Sequence, residues 1–211
     1  FRGLGRRRGA GATAAPPGGP IVIEELLVRG ARLVLGPPAQ RVVLTDLDAA
    51  LPYVRVRGVG NQLPLARVAR LSATLRLADT LERPLRVADG EVTFPAGRID
   101  FQARTAVFGT TQLAGVTGTY DGDLPGLGVQ AQARVLRLAF SEWQAFFPAL
   151  PDEGTATFTL AIEPVAPALT GVRITELAAA VGGAEVRGSI ALASGAAGTE
   201  IGRLDVAFSQ L

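Results

Sequence analysis

The 211-residue chain contains no cysteine, no methionine, no histidine and no lysine, and it has a single tryptophan. Each absence removes a class of function. Without cysteine there is no disulfide framework, no thiol nucleophile and no thiolate zinc site. Without histidine there is no imidazole base, no Ser–His–Asp triad and no imidazole metal ligand. Long apolar runs are also missing: no stretch approaches the roughly 18 residues that a membrane-spanning helix needs. The chain opens on Phe1 and carries no methionine anywhere, so the expectation is a segment of a longer protein or a processed product, with any leader or anchor outside it.

Carboxylates are the only acid–base groups left to search. Asp46 and Asp48, Asp121 and Asp123, and Asp152 and Glu153 are among the close pairs. Asp121-Gly122-Asp123 offers hard oxygen ligands, but the surrounding spacing is not that of a calcium loop, and it reads as a polar turn. Val181-Gly182-Gly183-Ala184 lacks the Lys and Ser/Thr of a phosphate-binding loop. The expectation is a non-enzymatic chain with no cofactor and no metal.

All 21 basic residues are arginine, against 19 acidic ones. Arg2, Arg6, Arg7 and Arg8 crowd the first eight residues; without them the rest carries 17 basic and 19 acidic side chains. No aromatic-plus-basic stripe follows, so nucleic acid is not an expected partner. Residues 1–20 are Gly-, Ala-, Pro- and Arg-rich without periodicity and read as a disordered linker, a solvated tether or a weak contact for anionic headgroups.

From Ile21 the pattern changes to period two. Ile21–Val28, Ala31–Leu35, Arg41–Leu47 and Leu51–Arg57 are β-rich and separated by Gly30 and Gly36-Pro37-Pro38. Gly58 to Leu65 reads as a loop, and 21–211 as one β-rich domain with a second option of two sub-units joined near 58–68. Further on, Leu71, Ala73, Leu75 and Leu77 alternate with Ser72, Thr74 and Arg76. Ile99, Phe101, Ala103, Thr105 and Val107 alternate with Asp100, Gln102, Arg104 and Ala106. Val129, Ala131, Ala133 and Val135, then Phe158, Leu160 and Ile162, then Val186, Ile190 and Leu192 repeat the arrangement. Alternation of this kind gives each strand one apolar and one polar face, the signature of antiparallel sheet. One segment departs: Ser141 to Phe147, stopped by Pro148, predicts a short helix over 141–147 with Ser141 as its cap. Its role is either a plug on the sheet or an aromatic lip.

A sheet with one apolar face must cover that face with a second sheet, with helices or with an apolar ligand. One short helix is too little. A sandwich and a curled sheet holding something greasy both remain. The expected fold is therefore all-β, mostly antiparallel, with a curled sheet and an apolar inner face as the leading arrangement.

The segment Ile21–Leu51 has two short strands, Ile23–Leu27 and Ala31–Leu35, around a Gly turn, followed by Leu44-Thr45-Asp46-Leu47. Residues Leu138–Ile162 add a helix-to-turn run, Trp143 to Pro151, and then Gly154-Thr155-Ala156-Thr157-Phe158. Leu177–Leu192 adds a strand, a glycine turn and a further strand. Together these resemble the AsmA-like/TamB superfamily of bacterial envelope proteins over most of residues 21–211. The resemblance implies a long curled sheet whose hydrophobic groove carries phospholipid between inner and outer membranes. It implies a periplasmic location with an inner-membrane anchor outside this segment. It also implies a role in outer-membrane protein assembly, with assembly proteins as partners, and neighbouring repeats at both ends.

On this reading the partner is phospholipid acyl chains, and the groove-lining residues are the inward register: Ile99, Phe101, Val107, Val129, Val135, Phe158, Leu160, Ile162, Ile190 and Leu192. The alternatives are a structural or interaction β module of an envelope protein and, last, an enzyme on a β scaffold.

Overall fold

The structure is a computed structural model and describes residues 19–35, 42–58, 61–77, 81–121, 128–144, 150–166, 169–195 and 198–210. The Arg-rich start as far as residue 18, the Gly36-Pro37-Pro38 turn, Gly122-Asp123 and residues 145–149 lie outside them.

The chain is all-β. Its thirteen described strands, β1 (Ile21–Ile23), β2 (Leu26–Leu35), β3 (Val42–Leu51), β4 (Tyr53–Arg57), β5 (Leu65–Leu77), β6 (Leu81–Thr93), β7 (Arg98–Phe108), β8 (Thr111–Asp121), β9 (Val129–Ala139), β10 (Thr155–Ala166), β11 (Leu169–Val181), β12 (Ala184–Gly195) and β13 (Gly198–Gln210), form one open sheet. From β5 to β13 each strand lies beside the next in sequence, a simple meander. All pairings are antiparallel. Extensive contacts run only between sheet neighbours, so among the described residues no second layer lies on either face.

The first strands are arranged differently. β5 is long enough to take two partners on one edge: β4 pairs with Leu65–Arg67, and β3 pairs with the stretch from Arg70 to Leu77. The sheet therefore runs unbroken past the 58–68 connection.

Turns are built by local chemistry. Gly182 and Gly183 both have positive φ, 53° and 82°, and join β11 to β12 directly. Two such residues define the tight hairpin turn whose twist matches the strands. A second set of left-handed residues sits inside the strands: Asp46, Asp89, Glu176 and Gly115, with φ between 51° and 58°. Asp46, Glu176 and Gly115 mark bulges, where the register shifts and the strand bends, whereas the pairing on both sides of Asp89 keeps its register. Glu176 is held there by Thr159, whose hydroxyl donates to its carboxylate at 3.1 Å.

Several strands were illegible in the sequence. β6 runs from Leu81 to Thr93 and contains Pro84, a residue that sheets admit only where a missing N–H costs no ladder bond. Pro84 is accommodated at the margin of the β7 ladder, which opens with Leu85 opposite Phe108; its carbonyl accepts from Gly109 N–H at 2.8 Å. β8, with Gly115 and Gly118, and the first half of β11, with Gly171 and the Glu176 bulge, also lack clean alternation.

The helix α1 spans Phe140–Trp143 and starts one residue before Ser141. Ala139 occupies the cap position with no side-chain cap, which corrects the expected Ser141 cap. What orders it is packing. Phe140 is buried with Ala156 and Ala179, against Leu138, Leu150, Phe158, Leu177, Val181 and Val186. Gly154 admits the Phe140 ring, since a Cβ there would lie 2.6 Å from it. Trp143 tilts against Phe108 with ring centroids 6.1 Å apart, and its indole N–H donates to Thr111 Oγ1 at 2.9 Å. Glu142 accepts from the backbone N–H and hydroxyl of Thr110, closing the β7–β8 turn. The described part of the helix acts as a plug on one margin of the sheet.

Candidate functional site

The candidate site is the apolar face. Cross-strand partners share a face, so the registers trace rows of side chains across the sheet. One row starts at Ile23 and continues through Val54, Ala66, Val92, Phe101, Gly118, Ala131, Ile162 and Val172 to Leu192. Ten strands contribute and none places a polar side chain in it. Nine interstrand spacings of about 4.8 Å make the row roughly 43 Å long. A parallel row runs Leu71, Val87, Ala106, Leu113, Val135 and Phe158. Between them, Ala133, Leu160, Ile174, Ile190 and Leu204 form a third on the C-terminal strands.

The regular stretches of β9 and β10 show that these rows share one face. Along them Ala131, Ala133 and Val135 alternate regularly opposite Ile162, Leu160 and Phe158. Strand β7 does not alternate regularly. Phe101 and Ala103 join the face, Arg104 and Thr105 are both exposed, and Ala106 is buried with the face again.

This reset relocates one expected site residue. Val107 pairs with Arg86 and Gln112, on the opposite face from Phe101. It lines a small recess with Thr110, Gln112, Arg137 and Glu142 instead of the apolar strip. Ala106, assigned to the polar register by simple alternation, takes its place. The other nine expected residues, Ile99 and Phe101 on β7, Val129 and Val135 on β9, Phe158, Leu160 and Ile162 on β10, and Ile190 and Leu192 on β12, are brought together on the apolar face. Val135 is buried, at 2% exposure, and the other eight are half-buried.

Half-burial follows from the architecture. In a single layer the side chains shield one another laterally, and no described residue forms a layer above them. Small residues such as Ala133, Ala156 and Ala179 disappear between larger neighbours, while Leu160 and Ile162 keep their ends in solvent. The surface is also locally smooth. Phe101 lies across Gly118, where a Cβ would stand 2.5 Å from the ring. Such a strip can hold an apolar chain by area burial alone, with no polar group to fix a headgroup on the strip itself.

The polar face has a feature that alternation did not suggest. A cleft of about 780 Å³ opens there, lined among others by Glu91, Asp100, Gln102, Thr117, Thr119, Gln132, Thr159 and Arg173. A twisted sheet is concave along one diagonal on each face, which lets a hollow form on this side too. Its charges are already matched: Arg67 lies 3.7 Å from Glu91, Arg173 lies 2.7 Å from Glu163, and Asp100 accepts from Arg98 and from the Thr119 hydroxyl.

No known family's sequence profile matches the chain, and no curated protein or solved structure matches it. Among the described residues no helix is long and apolar enough to cross a membrane.

Proposed function

We propose that this chain is a segment of a hydrophobic groove that carries phospholipid between the inner and outer membranes of a bacterial envelope, without catalysis. One observation carries the reading: an apolar row crosses ten strands without a polar interruption, and no described element covers it. The row runs across the strands, along the long axis of the meander, so it offers a track and not a pocket. A track roughly 43 Å long exceeds the ~30 Å thickness of a bilayer's hydrocarbon core, so an acyl chain reaching half that depth fits with room to advance.

The energetics suit sliding. Each methylene moved from water onto an apolar surface gains about 0.8 kcal/mol, so an acyl chain stays on the strip. Moving it along exchanges one apolar surface for another, with little net change. Headgroups would remain in water at the margin. The resemblance to the AsmA-like/TamB superfamily supports the same reading and a periplasmic location with an inner-membrane anchor. The same resemblance carries a second reading, a role in outer-membrane protein assembly with assembly proteins as partners.

The test is native mass spectrometry and lipid extraction on the chain produced in the presence of membrane lipid. Bound phospholipid is expected, and its loss is expected in folded Phe101→Asp and Leu160→Asp variants. A lipid-free wild-type chain, or variants that retain lipid undiminished, would remove this reading.

A further inference from the structure

The polar face divides into two halves of unlike charge. Toward the strand ends that carry Arg98 and Glu163, arginines are matched by acids: Arg67 lies 3.7 Å from Glu91, Arg98 2.9 Å from Asp100 and Arg173 2.7 Å from Glu163. From mid-strand toward the opposite ends, Arg70, Arg86, Arg104, Arg134 and Arg137 are exposed. None of these five has an ion pair or a side-chain hydrogen bond with any described residue.

The registers bring the five together. Arg70, Ala88, Thr105, Ala114 and Arg134 form one cross-strand row, and Arg86, Val107, Gln112 and Arg137 form the next on this face. Arg104 stands beside the first row on β7, midway between Arg70 and Arg134. Four interstrand spacings of about 4.8 Å put Arg70 roughly 19 Å from Arg134, and three put Arg86 roughly 14 Å from Arg137. The side chains between them are Ala, Thr, Val and Gln and neutralise nothing. Asp48, Glu142 and Glu176 border the band, but each already accepts a hydrogen bond, from Gly30 N–H, from Thr110 and from the Thr159 hydroxyl. Asp89 shares a hollow with Arg104 and offsets one charge of the five.

We propose that this band binds an acidic, extended segment of a partner protein, laid across β5 to β9 on the face opposite the apolar strip. Guanidinium groups pair with carboxylates in planar, two-pronged fashion, and arginine clusters are a recurrent means of holding acidic motifs. The arginines are too far apart to converge on one anion, so the ligand carries several. They follow a line across the strands, so the ligand is linear. About six extended residues at ~3.3 Å each cover the band, and alternate side chains of such a segment all face it. A broad anionic surface, such as a bilayer of acidic lipid, is a poorer match, because it would also press on Glu91, Asp100 and Glu163 of the same face. A single nucleic-acid strand would find no aromatic ring in the band on which to stack its bases. A sulfated polysaccharide points its charges to several sides and would leave part of them unmatched. The sheet fixes the backbone beneath all five arginines, so binding costs only side-chain freedom. The inference concerns the face opposite the proposed lipid track and stands without it.

The probe is a fluorescent peptide of alternating glutamate and serine, titrated with the full chain and read by fluorescence anisotropy. At about 0.1 M salt, charges are screened beyond roughly 10 Å. Saturable binding is expected, and its loss at about 0.5 M salt, a result that needs no variant. Arg86→Gln with Arg137→Gln, and separately Arg70→Gln with Arg134→Gln, are each expected to weaken binding about tenfold. Arg187→Gln with Arg203→Gln removes the same charge from β12 and β13, outside the band, and is expected to change binding less than about twofold. Circular dichroism verifies that each variant remains folded. No binding, or equal loss in the control pair, overturns the proposal. Undiminished binding in both band variants also overturns it, by placing the peptide elsewhere, on Arg2, Arg6, Arg7 and Arg8 for example. Phosphatidylglycerol vesicles and heparin are run in the same assay, and either one held by these arginines more tightly than the peptide overturns the assignment to an acidic protein segment.

Discussion

Two neighbouring rows of the same sheet behave as different materials. The row through Val92, Phe101, Gly118, Ala131 and Ile162 is apolar throughout. The row one residue away reads Tyr53, Arg67, Glu91, Gln102, Thr117, Gln132, Ala161 and Arg173. They use the same strands, the same hydrogen-bond ladder and the same turns. Only side-chain direction separates them, and a slip of one residue in any strand would exchange them. The polar row is tied by local pairs: Arg67 to Glu91, Gln102 to Glu91, and the Arg67 guanidinium 5.5 Å over the Tyr53 ring. The apolar row has no such ties and gains its order from lateral packing. The face that solvent can satisfy is self-sufficient. The other retains apolar surface that something else can bury.

Charge on the apolar side is the hardest way to break this contrast. Val135→Asp should cost about 3–5 kcal/mol, because it buries a carboxylate with no partner. Gln132→Asp, three residues away on the polar face, should stay within about 0.5 kcal/mol. Urea titrations followed by circular dichroism measure both. Leu160→Asp sharpens the point: its half-exposed position should make the cost clearly smaller than at Val135, and an equal cost would indicate that a hidden layer covers the face.

Next comes shape. Gly118→Val should cost about 1–3 kcal/mol by overpacking. Its Cβ would meet both the Phe101 ring and the Gln130 carbonyl oxygen, the latter at 2.6 Å. Phe101→Ala in the same chain should therefore relieve only part of the loss, a double-mutant cycle readable from chemical denaturation.

The plug gives a smaller effect. Trp143→Phe keeps the ring but removes the donor to Thr111, whose residue is 3% exposed. About 1–2 kcal/mol is expected, seen as a lower melting midpoint. Smallest is Arg173→Ala on the polar face. Its ion pair with Glu163 involves side chains 60% and 39% exposed, so the change should be below about 1 kcal/mol and should vanish in high salt.

Legibility in the sequence followed regularity. β9 alternates from Val129 to Val135 and β10 from Phe158 to Ile162, and over those stretches their faces were readable residue by residue. β7 was readable only as far as Ala103. Beyond it the bulge region places Arg104 and Thr105 both outward, so Ala106 and Val107 exchange sides. No residue in that stretch announces the reset: the left-handed residues that accompany it, Asp89 and Gly115, are on the neighbouring strands. β8 was obscured by its glycines, yet Gly118 is there because Phe101 lies across it, a contact between strands.

The chain's composition and period-two pattern determined, without any coordinates, that it is an antiparallel β protein with one apolar face, since alternation is a local property of an extended backbone. Tertiary structure decided the rest. Pairing between distant segments aligned the apolar residues of ten strands into one row, placed the bulges that move Val107 off it, and left that row without a covering layer among the described residues. Those outcomes depend on which backbone groups meet across the sheet, and no window of neighbouring residues contains that information.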